Sequence, residues 1–277
     1  MEITVAEQGL FLLSAKVAHD QAKERAWEHK LDAFGTLSKF LMRPKVEEIR
    51  VTLLELRYQP FWHAAGHKRF RYDRRTQYQV PVPTDVQSVD IAGQSYAASG
   101  GRITLQGLDH CLVEDRREIF IDGLTGEAQD LRRYVTFDRT AIDAGQALPQ
   151  DLALISPEVR ASAIVRQVLG DALHPPSADQ VLEEEVVVDR LDLYYRPIYA
   201  FECVWEAKGK QATVEVDGLT AEFKPMGKAF GAQLKKMLNR EMLFDIGAET
   251  LNLVVPGGAI AVKLTKAVMD RRQAKTP

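Results

Sequence analysis

The sequence predicts an α+β protein: two related antiparallel β units, each with a packing helix, flanked by N-terminal and C-terminal helices. Three observations predict it. A nine-residue strand pattern occurs twice, as Leu54-Glu55-Leu56-Arg57-Tyr58-Gln59-Pro60-Phe61-Trp62 and as Leu191-Asp192-Leu193-Tyr194-Tyr195-Arg196-Pro197-Ile198-Tyr199. Each copy is followed downstream by the same turn, Asp122-Gly123-Leu124-Thr125 and Asp217-Gly218-Leu219-Thr220. The segments between and around these strands carry apolar residues at helical spacing instead.

Residues 14–42 are rich in Ala, Lys, Glu, Gln and Leu, and Val17, Trp27, Leu31, Phe34, Leu37 and Leu41 recur at helical spacing. Arg43-Pro44 ends that helix, because the residue before a proline is pushed out of the α region. From Glu48 the apolar residues alternate, with a slip of phase at Leu53-Leu54 that signals a bulge. Ala64-Ala65-Gly66 reads as a connection to a second strand, His67 to Val80. There Lys68, Phe70, Tyr72, Arg74, Thr76, Tyr78 and Val80 share one face, and Arg69, Arg71, Asp73, Arg75 and Gln77 the other.

Pro81 and Pro83 mark a boundary. Ala92-Gly93 joins two short strands in a tight hairpin, and Gly100-Gly101 opens short strands at 102–105, 110–114 and 117–121. Residues 130–137 read as one more strand. Ser156-Pro157-Glu158 predicts a helix start, with Ser156 as N-cap, and Gly170 a helix stop after Leu169. Ser177 with Gln180 reads as the capping box of a short helix through Glu184. In the second unit, Ala207-Lys208-Gly209-Lys210 is the hairpin turn between strands 200–206 and 211–216.

Beyond Lys224-Pro225 helical spacing returns. Phe230, Leu234, Met237 and Leu238 form one face over 226–244, and Ala259 to Arg272 reads as a last amphipathic helix. The boundaries are a helical segment at 1–44, a first β unit with extra hairpins at 45–140, a second helix-plus-β unit at 141–224 and a helical segment at 225–277. The interval from Pro60 to Asp122 is about three times that from Pro197 to Asp217, so the first unit carries the longer hairpins.

A helix laid across a curved antiparallel sheet that ends in an Asp-x-x-Thr-Gly-like turn resembles PepSY-type and cystatin-like modules. Asp122-Gly123-Leu124-Thr125-Gly126 fits that turn, and the second copy departs from it with Ala221 in place of the last glycine. The resemblance implies the α+β architecture and transfers no functional residue.

Composition narrows the function. The 277 residues are 45% hydrophobic and 27% charged, and the net charge of −3 sets up no global field toward nucleic acid or an anionic membrane. Two cysteines, Cys111 and Cys203, make no disulfide framework and point to the reducing cytoplasm. The run Leu10 to Leu13 is too short for the apolar core of a signal peptide, and Thr250 to Val262 is too short and too broken to span a bilayer.

Four residue sets carry candidate chemistry. His63, His67, His110 and Cys111 are zinc-type ligands, but strand spacing makes them diverge, so no metal is expected there. The basic and aromatic alternation over His67 to Tyr78 is the kind of strand that stacks bases. Inward aromatics, with arginines in water or paired to acids, explain it without nucleic acid. Glu206-Ala207-Lys208 after a strand, with Asp192 or Glu202 as a second acid, fits a metal-dependent nucleic-acid-processing enzyme, and equally a solvent-facing hairpin tip. The C-terminal stripe of Phe230, Leu234, Met237 and Leu238, with Lys235 and Lys236 beside it, is the expected surface for a protein partner, self-association or peripheral membrane contact. No Ser-His-Asp spacing, phosphate loop or dinucleotide fingerprint is present, so no catalytic residue and no cofactor is expected. The reading is a non-catalytic cytoplasmic binding or scaffolding protein.

Overall fold

A computed structural model describes residues 2–34, 45–142, 152–170, 176–227 and 261–265. The strands are β1 (Glu2–Ala6), β2 (Gly9–Leu13), β3 (Ile49–Pro81), β4 (Ser88–Ile91), β5 (Gln94–Ala97), β6 (Arg102–Asp122), β7 (Arg139–Ala141), β8 (Ala153–Leu154), β9 (Gln180–Trp205), β10 (Lys210–Asp217), β11 (Phe223–Gly227) and β12 (Ala261–Thr265). The helices are α1 (His19–Glu28) and α2 (Ala161–Leu169). Ten strands form one mixed sheet, and β4 and β5 form a separate hairpin.

Two long strands are the axis of the sheet. The 33-residue β3 runs antiparallel to the 26-residue β9, from Ile49 opposite Trp205 to Asp73 opposite Gln180. Each turns back into its own hairpin partner, β3 into β6 and β9 into β10. The free side of β9 is taken by β1 and β2 in parallel, and β3 pairs the short β8 in parallel at Arg57 and Tyr58. Alternating, β-branched and aromatic residues suit such strands. Register shifts occur between Leu53 and Glu55, between Ala65 and Gly66, and between Arg71 and Tyr72.

The two copies of the repeated motif face one another. Tyr58 stands opposite Pro197, Pro60 opposite Tyr195 and Gln59 opposite Arg196. An approximate two-fold axis therefore passes through the Gln59–Arg196 pair. The turns obey it too. Gly123 N donates to Pro60 O at 3.0 Å, and Gly218 N to Pro197 O at 2.8 Å. Asp122 Oδ1 accepts from Leu124 N and Thr125 N at 2.9 and 3.0 Å, and Asp217 Oδ1 accepts from Leu219 N and Thr220 N at the same distances.

The same axis shows a second repeated segment, Leu12-x-Ser14-x-x-Val17 and Leu154-x-Ser156-x-x-Val159, each leading into a helix. The two segments are exchanged between units. Lys16 N and Val17 N donate to Gly218 O at 2.9 and 2.8 Å, while Glu158 N and Val159 N donate to Gly123 O at 2.8 and 3.2 Å. Tyr199 Oη donates to Val17 O at 2.8 Å, and Trp62 Nε1 to Val159 O at 2.9 Å. So α1, which precedes β3 in sequence, lies beside the β9–β10 hairpin, and α2, which precedes β9, lies beside β3–β6.

Both helices cover one face of the sheet. Ile164, Val165, Val168 and Leu169 of α2 pack on Tyr58, Trp62, Leu191, Leu193 and Tyr195. Ala22 and Ala26 of α1 pack on Tyr199, Phe201, Cys203 and Trp205. Each large apolar side chain fully buried here contributes about 1.5–3 kcal/mol relative to exposure.

The α+β expectation is corrected. Strand accounts for 58% and helix for 17% of the described residues, which hold two short α-helices. Of the expected helix over 14–42, the described part to Phe34 holds the ten residues of α1 and a 3₁₀ turn at Asp32–Phe34, and residues 35–42 lie outside the described residues; the buried face of α1 is Ala22 and Ala26, and Trp27 is half exposed. Ser156 is buried and does not cap α2, which starts at Ala161 after Arg160. The capping box at Ser177 and Gln180 does not form, because Gln180 opens β9 and pairs with Asp73. Ala261–Thr265, inside the expected last helix, is a strand paired in parallel with β1. In both cases a neighbouring strand supplies backbone partners, and tertiary pairing overrides local propensity. Ala64-Ala65-Gly66 lies inside β3, the three short strands from 102 to 121 are one strand, and residues 132–136 form a 3₁₀ turn.

Candidate functional site

The face of the sheet opposite the helices carries a buried polar network at the two-fold axis. Strand alternation places Arg57 and Gln59 of β3, Arg196 of β9, and Glu215 and Asp217 of β10 on that face. Arg57 is fully buried, and Gln59, Glu215 and Asp217 nearly so. The segment 129–134 folds over them and leaves a cleft of about 250 Å³, lined among others by Arg133, Tyr134, Arg196, Asp217, Glu222 and Lys224.

The network is continuous. Glu215 Oε1 is in ion-pair contact with Arg57 Nη2 and accepts from Gln59 Nε2 at 2.9 Å. Arg196 Nη2 donates to Gln59 Oε1 at 3.4 Å, and its Nη1 lies 3.7 Å from Asp217 Oδ2. Tyr134 Oη donates to that same Asp217 oxygen at 2.8 Å, and Arg133 Nη2 pairs with Glu222 Oε2 at 2.6 Å. Burial lowers the Arg57 guanidinium to about 10, an effect that Glu55 partly offsets, so it stays cationic at neutral pH. Burial raises the Tyr134 phenol, and the Asp217 charge adds to that. The hydrogen bond from Arg133 holds the Glu222 carboxyl below its usual range.

Glu215, Asp217 and Glu222 in this cleft are occupied by donors within the protein, whereas Asp130 has a single contact, from Arg132 N at 3.5 Å, and Arg196 keeps spare capacity. Its Nε is buried with no hydrogen-bond partner, and its contact to Asp217 is longer than a hydrogen bond. Lys224 adds a second cation to the lining. The unspent hydrogen-bonding capacity of the cleft is therefore that of a donor facing an acceptor.

The two halves of the face differ in chemistry. By the two-fold relation Arg57 corresponds to Tyr194, Glu215 to Phe120 and Gln59 to Arg196. On the β3–β6 side those places are aromatic: Phe61 stacks on Tyr194 at 5.2 Å and His63 on Phe120 at 4.3 Å. On the β9–β10 side they are ionic. One backbone arrangement thus tolerates either solution, and the charged set is not required by the fold.

The residues singled out from the sequence lie elsewhere. Phe230, Leu234, Lys235, Lys236, Met237 and Leu238 are outside the described residues. His63, His67, His110 and Cys111 are not brought together. His63 Nε2 pairs with Glu118 at 2.7 Å, His67 Nδ1 with Asp189 at 2.8 Å, His110 Nδ1 with Asp73 at 2.7 Å, and Cys111 sits opposite Tyr72. Glu206 pairs with Arg50 at 3.2 Å at the exposed β9–β10 turn, and Asp192 is fourteen positions back along β9, on the order of 45 Å in extended chain. Phe70 and Tyr72 are buried, and Arg69 pairs with Glu114 and Glu183 at 3.2 and 3.5 Å. Arg57, Gln59, Tyr134, Arg196, Glu215 and Asp217 were not singled out as a site. The available signal was polar residues in the variable positions of the repeated strand pattern, next to the twice-used proline.

Comparison with family models, curated proteins and solved structures finds no match. Among the described residues no helix is long and apolar enough to cross a membrane.

Proposed function

We propose that this chain is a non-catalytic binding protein whose cleft at the two-fold axis receives an acidic group of a protein partner. The observation that carries the reading is Arg196, a largely buried guanidinium in the cleft lining whose Nη1 stands 3.7 Å from Asp217, beyond hydrogen-bond distance, while Tyr134 already donates to that carboxylate. An incoming carboxylate completes that donor set, and charge-assisted bonds to a planar guanidinium are strong and directional. A cytoplasmic setting belongs to the same reading, supported by two free cysteines far apart in the fold, Cys111 on β6 and Cys203 buried on β9.

The test is calorimetric titration with a Glu-rich hexapeptide and with its Gln-substituted counterpart. Saturable binding of the acidic peptide alone, weakened about tenfold or more by Arg196→Gln, is the expected result. Equal binding of both peptides, or an acidic peptide bound as well by Arg196→Gln, overturns it.

A further inference from the structure

Beyond its last pairing with β9, β3 continues with β6 as a two-stranded arm, from about residue 74 to 81 and from 102 to 109. Among the described residues β6 pairs as a strand only with β3; Ser99 bridges its outer edge at Arg102, and from Thr104 to Glu118 that edge lacks a strand partner. Long edges in natural proteins are blunted by proline, a bulge or a covering element. The register of β6 against β3 runs without a shift from Arg102 to Asp122, and the edge contains no proline. Its outward face also exposes Leu108 and Leu112 at 51% and 55%.

We propose that this edge pairs with the same edge of a second copy, antiparallel about a two-fold axis through His110, so that one sheet runs through a dimer. On the face that carries Leu108 and Leu112 the sequence of β6 is complementary to itself in that register, while on the other face Leu105 meets Asp115. Leu108 meets Leu112 of the second copy and the reverse, so both exposed leucines are covered twice. Thr104 meets Arg116 of the second copy and Gln106 meets Glu114. The facing histidines at 110 each have an Asp73 carboxylate at 2.7 Å. Neighbouring registers are worse. Moving the axis to residue 109 sets Asp109 against Asp109. Moving it to 111 sets Leu108 against Glu114, and moving it to 112 sets Asp109 against Asp115. Like charges directly opposite are destabilising and apolar pairs favourable. Such an interface is isologous and closes at two copies.

Sedimentation equilibrium on the full chain tests it, with Leu108→Lys, Leu112→Glu and the double variant. Both positions are exposed, so each variant keeps the fold, and circular dichroism checks this. A wild-type dimer is expected, weakened about tenfold or more by either single change. In the double variant each lysine faces a glutamate of the other copy, and dimerisation returns. A monomeric wild type at about 100 μM, a concentration at which even weak complexes assemble, overturns the proposal. So do single variants that dimerise like wild type, or a double variant no better than the singles.

Discussion

Gln59 of β3 stands directly opposite Arg196 of β9, and the guanidinium donates to its side-chain oxygen at 3.4 Å. The two residues hold the same place in the repeated motif, so this pair lies on the axis that relates the two halves. An axial pair tolerates an amide against a cation but not two cations. Gln59→Arg is expected to destabilise the protein by about 2 kcal/mol, by opposing two part-buried guanidinium groups and removing the hydrogen bond that Gln59 Nε2 donates to Glu215. Urea unfolding measures it, and Arg196→Gln serves as the comparison that removes charge and retains the fold.

The glycine of each Asp-Gly turn is fixed by a close approach. A Cβ on Gly123 would lie 2.7 Å from Pro60 O, and one on Gly218 would lie 2.9 Å from Pro197 O. Both contacts are to backbone, which cannot swing aside. Gly123→Ala and Gly218→Ala should each cost about 1–3 kcal/mol in denaturant unfolding, with similar values because the environments are equivalent. A neutral result at either position contradicts the close approach.

The position that ends each turn differs. Gly126 has φ 77°, and its counterpart Ala221 has φ 58°, a left-handed conformation that costs an L residue about 1–2 kcal/mol. Ala221→Gly relieves that strain, and the greater freedom of glycine in the unfolded chain offsets part of the gain. A net stabilisation of about 0.5–1 kcal/mol is expected, read as a raised denaturant midpoint.

His63 gives the stability of the protein a pH dependence of known sign. Its ring is buried against Phe120, and Nδ1 has no hydrogen-bond partner. Burial lowers its pKa below the ordinary 6.5, and the hydrogen bond with Glu118 only partly opposes this. Between the lowered folded value and 6.5 the unfolded chain binds more protons. The contribution of neutral His63 is therefore complete above about 6.5 and is lost as pH falls through the folded value. His63→Phe keeps the stacked ring and should flatten the decline of unfolding free energy on the acid side of 6.5. A decline as steep as that of the wild type rules this role out.

Much of the backbone plan was legible because it rests on local chemistry. The Leu53-Leu54 phase slip is a register shift, Ala92-Gly93 and the Glu206–Lys208 tip are hairpin turns, and Gly170 ends α2. What misled was non-local. Ala64-Ala65-Gly66 has the composition of a loop, yet it is strand interior, where Gly66 lets Val187 O approach within 2.7 Å of a Cβ position. Ser177-x-x-Gln180 has the composition of a cap, yet β3 captures that segment as strand. The polar network was hidden for a related reason: Arg57, Arg196 and Glu215 are ordinary surface residue types, and Tyr134, which lies against Arg196 and Asp217, comes from a segment distant in sequence. The Leu-x-Ser-x-x-Val repeat could have been found, since both copies keep the same spacing to their helix.

The exchange of strand and helix between the two units sets an order of events during synthesis. Lys16 and Val17 leave the ribosome early, but their acceptor, Gly218, follows roughly 200 residues later. At about 5–20 residues per second that is a wait of about 10–40 s. Through most of it α1 lacks Tyr199, Phe201, Cys203 and Trp205, the β9 residues on which Ala22 and Ala26 pack. The first half cannot close on itself, because the element that belongs on its β3–β6 hairpin is α2. The nascent chain therefore passes through a long stage in which Ala22 and Ala26 lack most of their core, and it is there, rather than in the finished fold, that this protein is most open to capture by a chaperone.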